Sequence, residues 1–123
     1  MRDWLWIAVA GGAGSVSRHA VAQVAIRLGD AFPWGTLAVN LCGSFLLGVL
    51  VECFAKQWVP ASVRIGLGVG FLGGFTTFST FTVETVRLLE RGAYGAALAN
   101  AIGSTLVGVA AAAAGIGAVR LAG

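Results

Sequence analysis

Four long apolar stretches, separated only by short polar connections, constrain this chain more than any other feature. They run over about residues 4–28, 34–56, 61–89 and 94–119. A helix needs about 20 predominantly apolar residues to cross the hydrocarbon of a bilayer, so each stretch is long enough to cross once. We therefore predict an all-α membrane protein whose residues 1–123 form a single domain of four transmembrane helices.

Composition supports the same class and leaves no room for a soluble catalytic domain. The 123 residues are 58% hydrophobic and only 11% charged, with a mean hydropathy of +0.89, whereas soluble domains are about 25% charged. The chain has no Walker A lysine motif and no run of basic residues. We therefore expect neither an enzyme that hydrolyses nucleotides nor a nucleic-acid partner, but a protein of the lipid bilayer.

The third apolar stretch is interrupted in its middle by residues 70–84, with the sequence GFLGGFTTFSTFTVE. Because glycine weakens a helix, Gly73-Gly74 predicts a helix that is broken between Gly73 and Thr77. Irregular backbone inside a membrane is tolerated only where it is buried in protein or lines a watery path. We therefore expect something polar to sit at this break or to pass through it.

The basic residues outside the four stretches are almost evenly divided between the two sides of the membrane. One side holds Arg2, Lys56, Arg64 and Arg120, and the other holds Arg27, Arg87 and Arg91. A single orientation normally shows a clear cytoplasmic excess of Lys and Arg. Small counts could balance by chance; alternatively, the chain inserts both ways and forms an antiparallel, dual-topology homodimer. The glycine ridge Gly66, Gly70 and Gly74 favours close helix packing in such an oligomer.

Neutral polar side chains recur at helical spacing in three of the stretches. They are Thr36, Asn40 and Ser44 in the second, Thr77, Thr80 and Glu84 in the third, and Asn100 and Ser104 in the fourth. Phe78 and Phe81 lie beside the third group. Amides and hydroxyls donate hydrogen bonds, and aromatic rings have positive edges. Such a lining could bind a small anion weakly enough to release it; alternatively, the polar groups only hold the helices together.

Arg18 lies well inside the first stretch. A charge within a transmembrane segment is by default a candidate for a functional site. The alternative is that Arg18 extends its side chain to the nearby interface, about three turns away. The sequence leaves both interpretations open.

Three motifs make essentially the whole chain resemble the Fluc/CrcB fluoride channel family. They are Gly11-Gly12-x-Gly14 with Arg18, Gly35-Thr36-Leu37-x-Val39-Asn40, and residues 70–81 with Glu84. The resemblance implies small four-helix chains that form antiparallel, dual-topology homodimers with two fluoride pores. It also implies passive export of fluoride across the bacterial inner membrane, which lowers cytoplasmic fluoride and gives resistance to it.

The resemblance further implies roles for particular residues. Asn40 matches the pore asparagine of the family, Phe78 and Phe81 match its two pore phenylalanines, and Ser104 matches a serine along its polar track. Where some members have a tyrosine one turn before that serine, this chain has Asn100.

A structural Na⁺ at the centre of the dimer is also implied, bound by the backbone carbonyls of Gly73 and Thr76. Thr77 and Thr80 are expected along the fluoride pathway because they share the polar face of the third stretch. Arg18 and Glu84 are further candidates for the site.

Two other functions fit a chain of this size. Small multidrug transporters are also four-span, dual-topology proteins, but they rely on a membrane-embedded glutamate in the first span, where this chain has Arg18 and no acidic residue. A non-transporting subunit of a membrane complex would not need a hydroxyl-rich broken helix. Such a subunit would also show no ion flux when purified alone.

Overall fold

The computed structural model describes residues 2–123, which form five helices joined by short turns. They are α1 (Arg2–Ala25), α2 (Trp34–Ala55), α3 (residues 61–75), α4 (Ser79–Glu90) and α5 (Tyr94–Ala122). A short 3₁₀ turn, Ile26–Leu28, follows α1, and α3 and α5 contain π-helical segments at Arg64–Leu72 and Ala99–Gly103. Residues 2–123 contain no strand, so the all-α class is confirmed.

Three segments are long and apolar enough to cross a membrane, namely Trp34–Ala55, Ala61–Glu90 and Tyr94–Ala122. The second of them comprises α3, the break and α4. With 24 residues, α1 is about 36 Å long and could also cross. Its sequence is more polar, with Ser15, Ser17, Arg18 and His19 along its length, so its place as the fourth span remains a prediction.

The break in the third stretch lies slightly later than its glycines predict. Gly73 and Gly74 are helical, and α3 continues to Phe75. The chain then becomes extended at Thr76, with φ −86° and ψ 160°, and α4 begins at Ser79. The break consists of residues 76–78 and so overlaps the end of the predicted interval Gly73–Thr77, but the expectation that Gly73-Gly74 itself breaks the helix is wrong.

The glycines before the break serve close packing between α1 and α3. A Cβ atom on Gly74 would overlap the carbonyl oxygen of Gly11, and one on Gly14 would overlap the carbonyl oxygen of Phe71. A Cβ on Gly70 would lie 2.9 Å from that of Ala10. Two members of the predicted glycine ridge, Gly70 and Gly74, thus pack against α1 of the same chain, rather than against another copy as the sequence suggested. Small residues let the two backbones approach, which is the main source of helix association in lipid.

A second close pair is formed by α2 and α5. A Cβ on Gly48 would overlap the carbonyl oxygen of Ala112, and a Cβ on Gly115 would overlap that of Phe45. At the ends of the same helices, Arg120 donates to Glu52 through Nε and Nη2, at 3.0 and 3.2 Å. The fold therefore consists of two tightly packed helix pairs, α1 with α3 and α2 with α5, with the break of the third stretch lying beside α2.

Replacing Gly115 by alanine should destabilise the protein by about 1–3 kcal/mol, because the added methyl forces apart a closely packed interface. Gly117→Ala is the matched control on the same helix, since a Cβ there meets nothing within 4 Å. Thermal unfolding of the two purified variants in detergent checks the difference. Equal midpoints for both variants would contradict this packing.

Candidate functional site

Asn40 of α2 holds the backbone of the break through two hydrogen bonds. Its Nδ2 donates to the Thr77 carbonyl oxygen at 3.0 Å, and the Thr77 N–H donates to its Oδ1 at 2.9 Å. Buried backbone groups must find partners when a helix ends, and one side chain here supplies both. Gly43 lets α2 approach so closely, because a Cβ there would overlap the Thr76 side chain.

Side chains also capture the donors that two carbonyl oxygens would use in a continuous helix. In an unbroken helix Gly73 would accept from the Thr77 N–H and Thr76 from the Thr80 N–H. The Thr77 N–H instead donates to Asn40 Oδ1, and the Thr80 N–H donates to the Thr77 hydroxyl at 3.3 Å. Within residues 2–123, no hydrogen bond at the break uses the carbonyl oxygens of Gly73 and Thr76. Both oxygens are therefore available to a ligand.

A cleft of about 500 Å³ lies between α2, the break and α5. We call it the phenylalanine cleft, after Phe78 and Phe81, whose ring centroids are 5.9 Å apart at an interplanar angle of 38°. It collects most of the predicted site residues, which are Asn40, Gly73, Thr76, Thr77, Phe78, Phe81 and Ser104. The cleft is open on one side, where Phe78 is 77% exposed.

The remaining candidates lie in a second cleft of about 340 Å³, on the side of α1. We call it the arginine cleft; it is lined by Arg18, Thr80 and Glu84, and Thr77 lines both clefts. The predicted residues are thus divided between two clefts that meet at Thr77, rather than forming one continuous face.

Glu84 is held at the wall of the arginine cleft. The Thr36 hydroxyl donates to Glu84 Oε1 at 2.8 Å, while Oε2 is buried and has no hydrogen-bond partner in the described part of the chain. Arg18 lines the same cleft, yet the ion pairs found in residues 2–123 do not join it to Glu84. A third cleft of about 300 Å³ shares Thr36 and Glu84 with the arginine cleft and extends to Arg87 and Arg91 at the end of α4.

Most hydroxyls that line the phenylalanine cleft already donate within the chain. Thr76 donates to the Leu72 carbonyl at 2.9 Å and Thr105 to the Ala101 carbonyl at 2.6 Å, while Ser104 donates to Asn100 Oδ1 at 3.2 Å. Such hydroxyls offer oxygen lone pairs, rather than protons, to a ligand in the cleft.

Ser44 is the exception among these hydroxyls. It lines the phenylalanine cleft, and its hydroxyl makes no hydrogen bond to any of residues 2–123. The sequence placed Ser44 in a stripe with Thr36 and Asn40 but did not assign it to the pathway. Its spacing of four residues from Asn40 puts both side chains on one face of α2, as that stripe predicts.

The described residues contain no group of three or more His, Cys, Asp or Glu side chains that could hold a metal ion. A cation at this site would therefore be held by neutral oxygens, from backbone carbonyls or hydroxyls. The carbonyl oxygens of Gly73 and Thr76 are among those at the break that accept no hydrogen bond within residues 2–123.

Comparisons with known proteins agree on one family. The family model described as "CrcB-like protein, Camphor Resistance (CrcB)" matches residues 5–116. A protein of Nitrobacter winogradskyi is 46% identical over 119 residues, which are 95% of this chain and 94% of that relative. A protein of Geobacter sulfurreducens is 47% identical over 122 residues, 98% of each chain. One of Syntrophotalea carbinolica is 50% identical over 107 residues, 85% of this chain and 87% of the relative. All three are named fluoride-specific ion channel FluC.

Ser44→Ala should lower anion flux about tenfold, because a free hydroxyl that donates to an anion contributes about 1.5–3 kcal/mol. Flux is measured with fluoride, the anion for which the relatives are named. Thr105→Val is the matched control, since the Thr105 hydroxyl lines the same cleft but donates to Ala101. Ser44→Thr should retain most of the flux. Equal losses in Ser44→Ala and Thr105→Val would show that cleft shape, rather than the free donor, matters.

Proposed function

This chain belongs to the CrcB family, and we infer that it is a fluoride-specific ion channel of the bacterial inner membrane rather than an enzyme. The observation that carries this conclusion is the similarity to named fluoride channels over nearly the full length of both chains. The fold is consistent with it, because the long apolar helices suit a multi-pass membrane protein.

We propose that fluoride is coordinated in the phenylalanine cleft. Fluoride is small and strongly hydrated, so a pore must replace its water with donors at short range. Asn40 Nδ2 carries two protons, and only one of them is used by the Thr77 carbonyl. The second proton, the Ser44 hydroxyl and the positive edges of Phe78 and Phe81 provide neutral donors in one cleft. Neutral donors hold an anion loosely enough for it to leave.

The proposed path continues from the phenylalanine cleft past Thr77 into the arginine cleft. Thr77 lines both clefts, and Thr80 follows it along α4. Arg18 places a positive charge in the arginine cleft beside Glu84, and it can attract an anion there. In the third cleft Arg91 pairs with Asp30 at 3.4 Å, so Arg87 is the arginine without an ion pair among the described residues. Glu84, which accepts a hydrogen bond from Thr36, lines both the arginine cleft and the third cleft.

Export along this path needs no energy source. Hydrofluoric acid is a weak acid that enters acidified cells as a neutral molecule and dissociates inside. A membrane potential that is negative inside then drives the anion outward with about 2.3 kcal/mol per 100 mV. Passive exit therefore lowers cytoplasmic fluoride and protects the cell.

We propose that the working unit is an antiparallel homodimer. The polar lining of the phenylalanine cleft cannot face lipid, yet Phe78 at its open side is 77% exposed. Gly103 and Gly108 of α5 have space for a Cβ with no atom within 4 Å, which suits close approach of another helix. A second, inverted copy would cover this side, and the balanced distribution of Lys and Arg supports insertion in both orientations.

The same assembly supports a structural Na⁺. The carbonyl oxygens of Gly73 and Thr76 have lost their helical donors to side chains, and hard cations take oxygen ligands. Two copies would bring four such oxygens together on the two-fold axis. Bound there, the ion would satisfy oxygens that accept no hydrogen bond within residues 2–123.

Purified protein in liposomes should release fluoride and not chloride, with no ATP and no proton gradient, because the cleft offers donors sized for a small anion. Efflux is followed with fluoride- and chloride-selective electrodes after valinomycin is added, so that K⁺ leaves with the anion and no opposing membrane potential builds up. Proteoliposomes prepared with N-methylglucamine in place of Na⁺ should lose most of this efflux.

Phe78→Ile and Phe81→Ile are the matched variants, because they keep bulk but remove the ring edge, and each should lower fluoride efflux steeply. In the same detergent preparations the mass of the protein should be that of two chains. Equal release of both anions, or release of neither, would overturn the function. Fluoride-selective efflux from a monomer would overturn only the dimer, and unchanged efflux without Na⁺ only the sodium site.

A further inference from the structure

Asn100 belongs to a buried chain of hydrogen bonds behind the phenylalanine cleft. It lies in the π-helical segment of α5, and only 1% of its surface is exposed. Its Nδ2 donates to Thr85 Oγ1 at 2.9 Å, and Ser104 Oγ donates to its Oδ1 at 3.2 Å. Thr85 in turn donates to the Phe81 carbonyl at 2.9 Å. These hydrogen bonds thus join α4, which bears Phe81, to α5, which bears Ser104.

The direction of each hydrogen bond in this network follows from its last acceptor, the Phe81 carbonyl oxygen. A carbonyl oxygen can only accept, so the single proton of the Thr85 hydroxyl is used on Phe81. The Thr85 oxygen must therefore accept from Asn100, which fixes Nδ2 toward Thr85 and Oδ1 toward Ser104. Ser104 must then donate to Asn100. As a result, Ser104 presents lone pairs, not its proton, to the phenylalanine cleft.

We propose that Asn100 withholds the Ser104 proton from fluoride and so keeps Ser104 a weak contact. Asn100 is buried and does not itself line the phenylalanine cleft, so it is a positioning residue that acts through Ser104. The inference rests on the proposed fluoride path. For Ser104 to donate to fluoride, its bond to Asn100 must first break. This cost shortens the residence of the ion, and conduction depends on binding that is readily reversed.

Asn100→Leu tests the proposal, because leucine keeps the γ-branched shape of asparagine and leaves no buried donor unpaired. Thr85 can still donate to Phe81, while the Ser104 hydroxyl is free to turn into the cleft. The fluoride concentration at half-saturation of the current should fall about fivefold, the equivalent of one hydrogen bond, and the maximal current should fall with it. Currents are recorded in planar bilayers over a range of fluoride concentrations.

The discriminating control is the same substitution in a Ser104→Ala background. If Asn100 acts through the Ser104 proton, Asn100→Leu should leave half-saturation unchanged there. A role in packing alone would give the same shift in both backgrounds and would overturn the proposal. If the wild type conducts fluoride and Asn100→Leu has the same half-saturating fluoride concentration, the proposal is also overturned. Absence of fluoride current in the wild type would instead refute the proposed function.

Thr85→Val provides a second variant should Asn100→Leu reduce the yield of folded dimer. Without the Thr85 hydroxyl, Asn100 is no longer fixed and can turn Nδ2 toward Ser104, so half-saturation should shift in the same direction. Thr85→Ser keeps the hydroxyl and should restore wild-type values. A Thr85→Val protein that is indistinguishable from Thr85→Ser would count against the proposal.

Discussion

The two hydrogen bonds between Asn40 and Thr77 are the interaction on which the site depends. A transmembrane helix cannot simply stop, because every backbone group that it leaves unpaired is costly in lipid. Asn40 satisfies both the N–H and the C=O of Thr77 from a neighbouring helix, so the chain can be extended there at little cost. The clefts, the free carbonyls and the position of Phe78 all follow from that extended turn.

Within residues 2–123, one side chain thereby leaves both an unpaired carbonyl oxygen and an unused donor proton at the break. Because Thr77 donates to Asn40, the Gly73 carbonyl loses its helical donor and becomes a possible cation ligand. Because only one proton of the Asn40 amide is used, the other remains for an anion. Cation and anion sites close to each other would stabilise both ions electrostatically. The proposed sodium ion and fluoride path are therefore consequences of the same local structure.

The sequence predicted the helices better than it predicted their relative rotation. Apolar length placed the second stretch at residues 34–56, and α2 occupies Trp34–Ala55. Glycine, however, shows only where a helix can break; the break itself is determined by Asn40, 37 residues away from Thr77. Thr80 and Phe81 were expected along one pathway, but as consecutive helical residues they point in different directions and line different clefts. Asn100 likewise faces α4 rather than the cleft, which its spacing from Ser104 could not reveal.

The chain has only two asparagines, Asn40 and Asn100, and this allows a direct test of the central claim that Asn40 donates to fluoride. Protein with ¹⁵N-labelled asparagine can be reconstituted in lipid bilayers with fluoride and studied by solid-state NMR. Short-range magnetisation transfer from ¹⁹F should reach the side-chain amide protons of Asn40 and not those of Asn100, whose amide donates to Thr85. Transfer to Asn100 alone, or to neither residue in protein that conducts fluoride, would contradict the account.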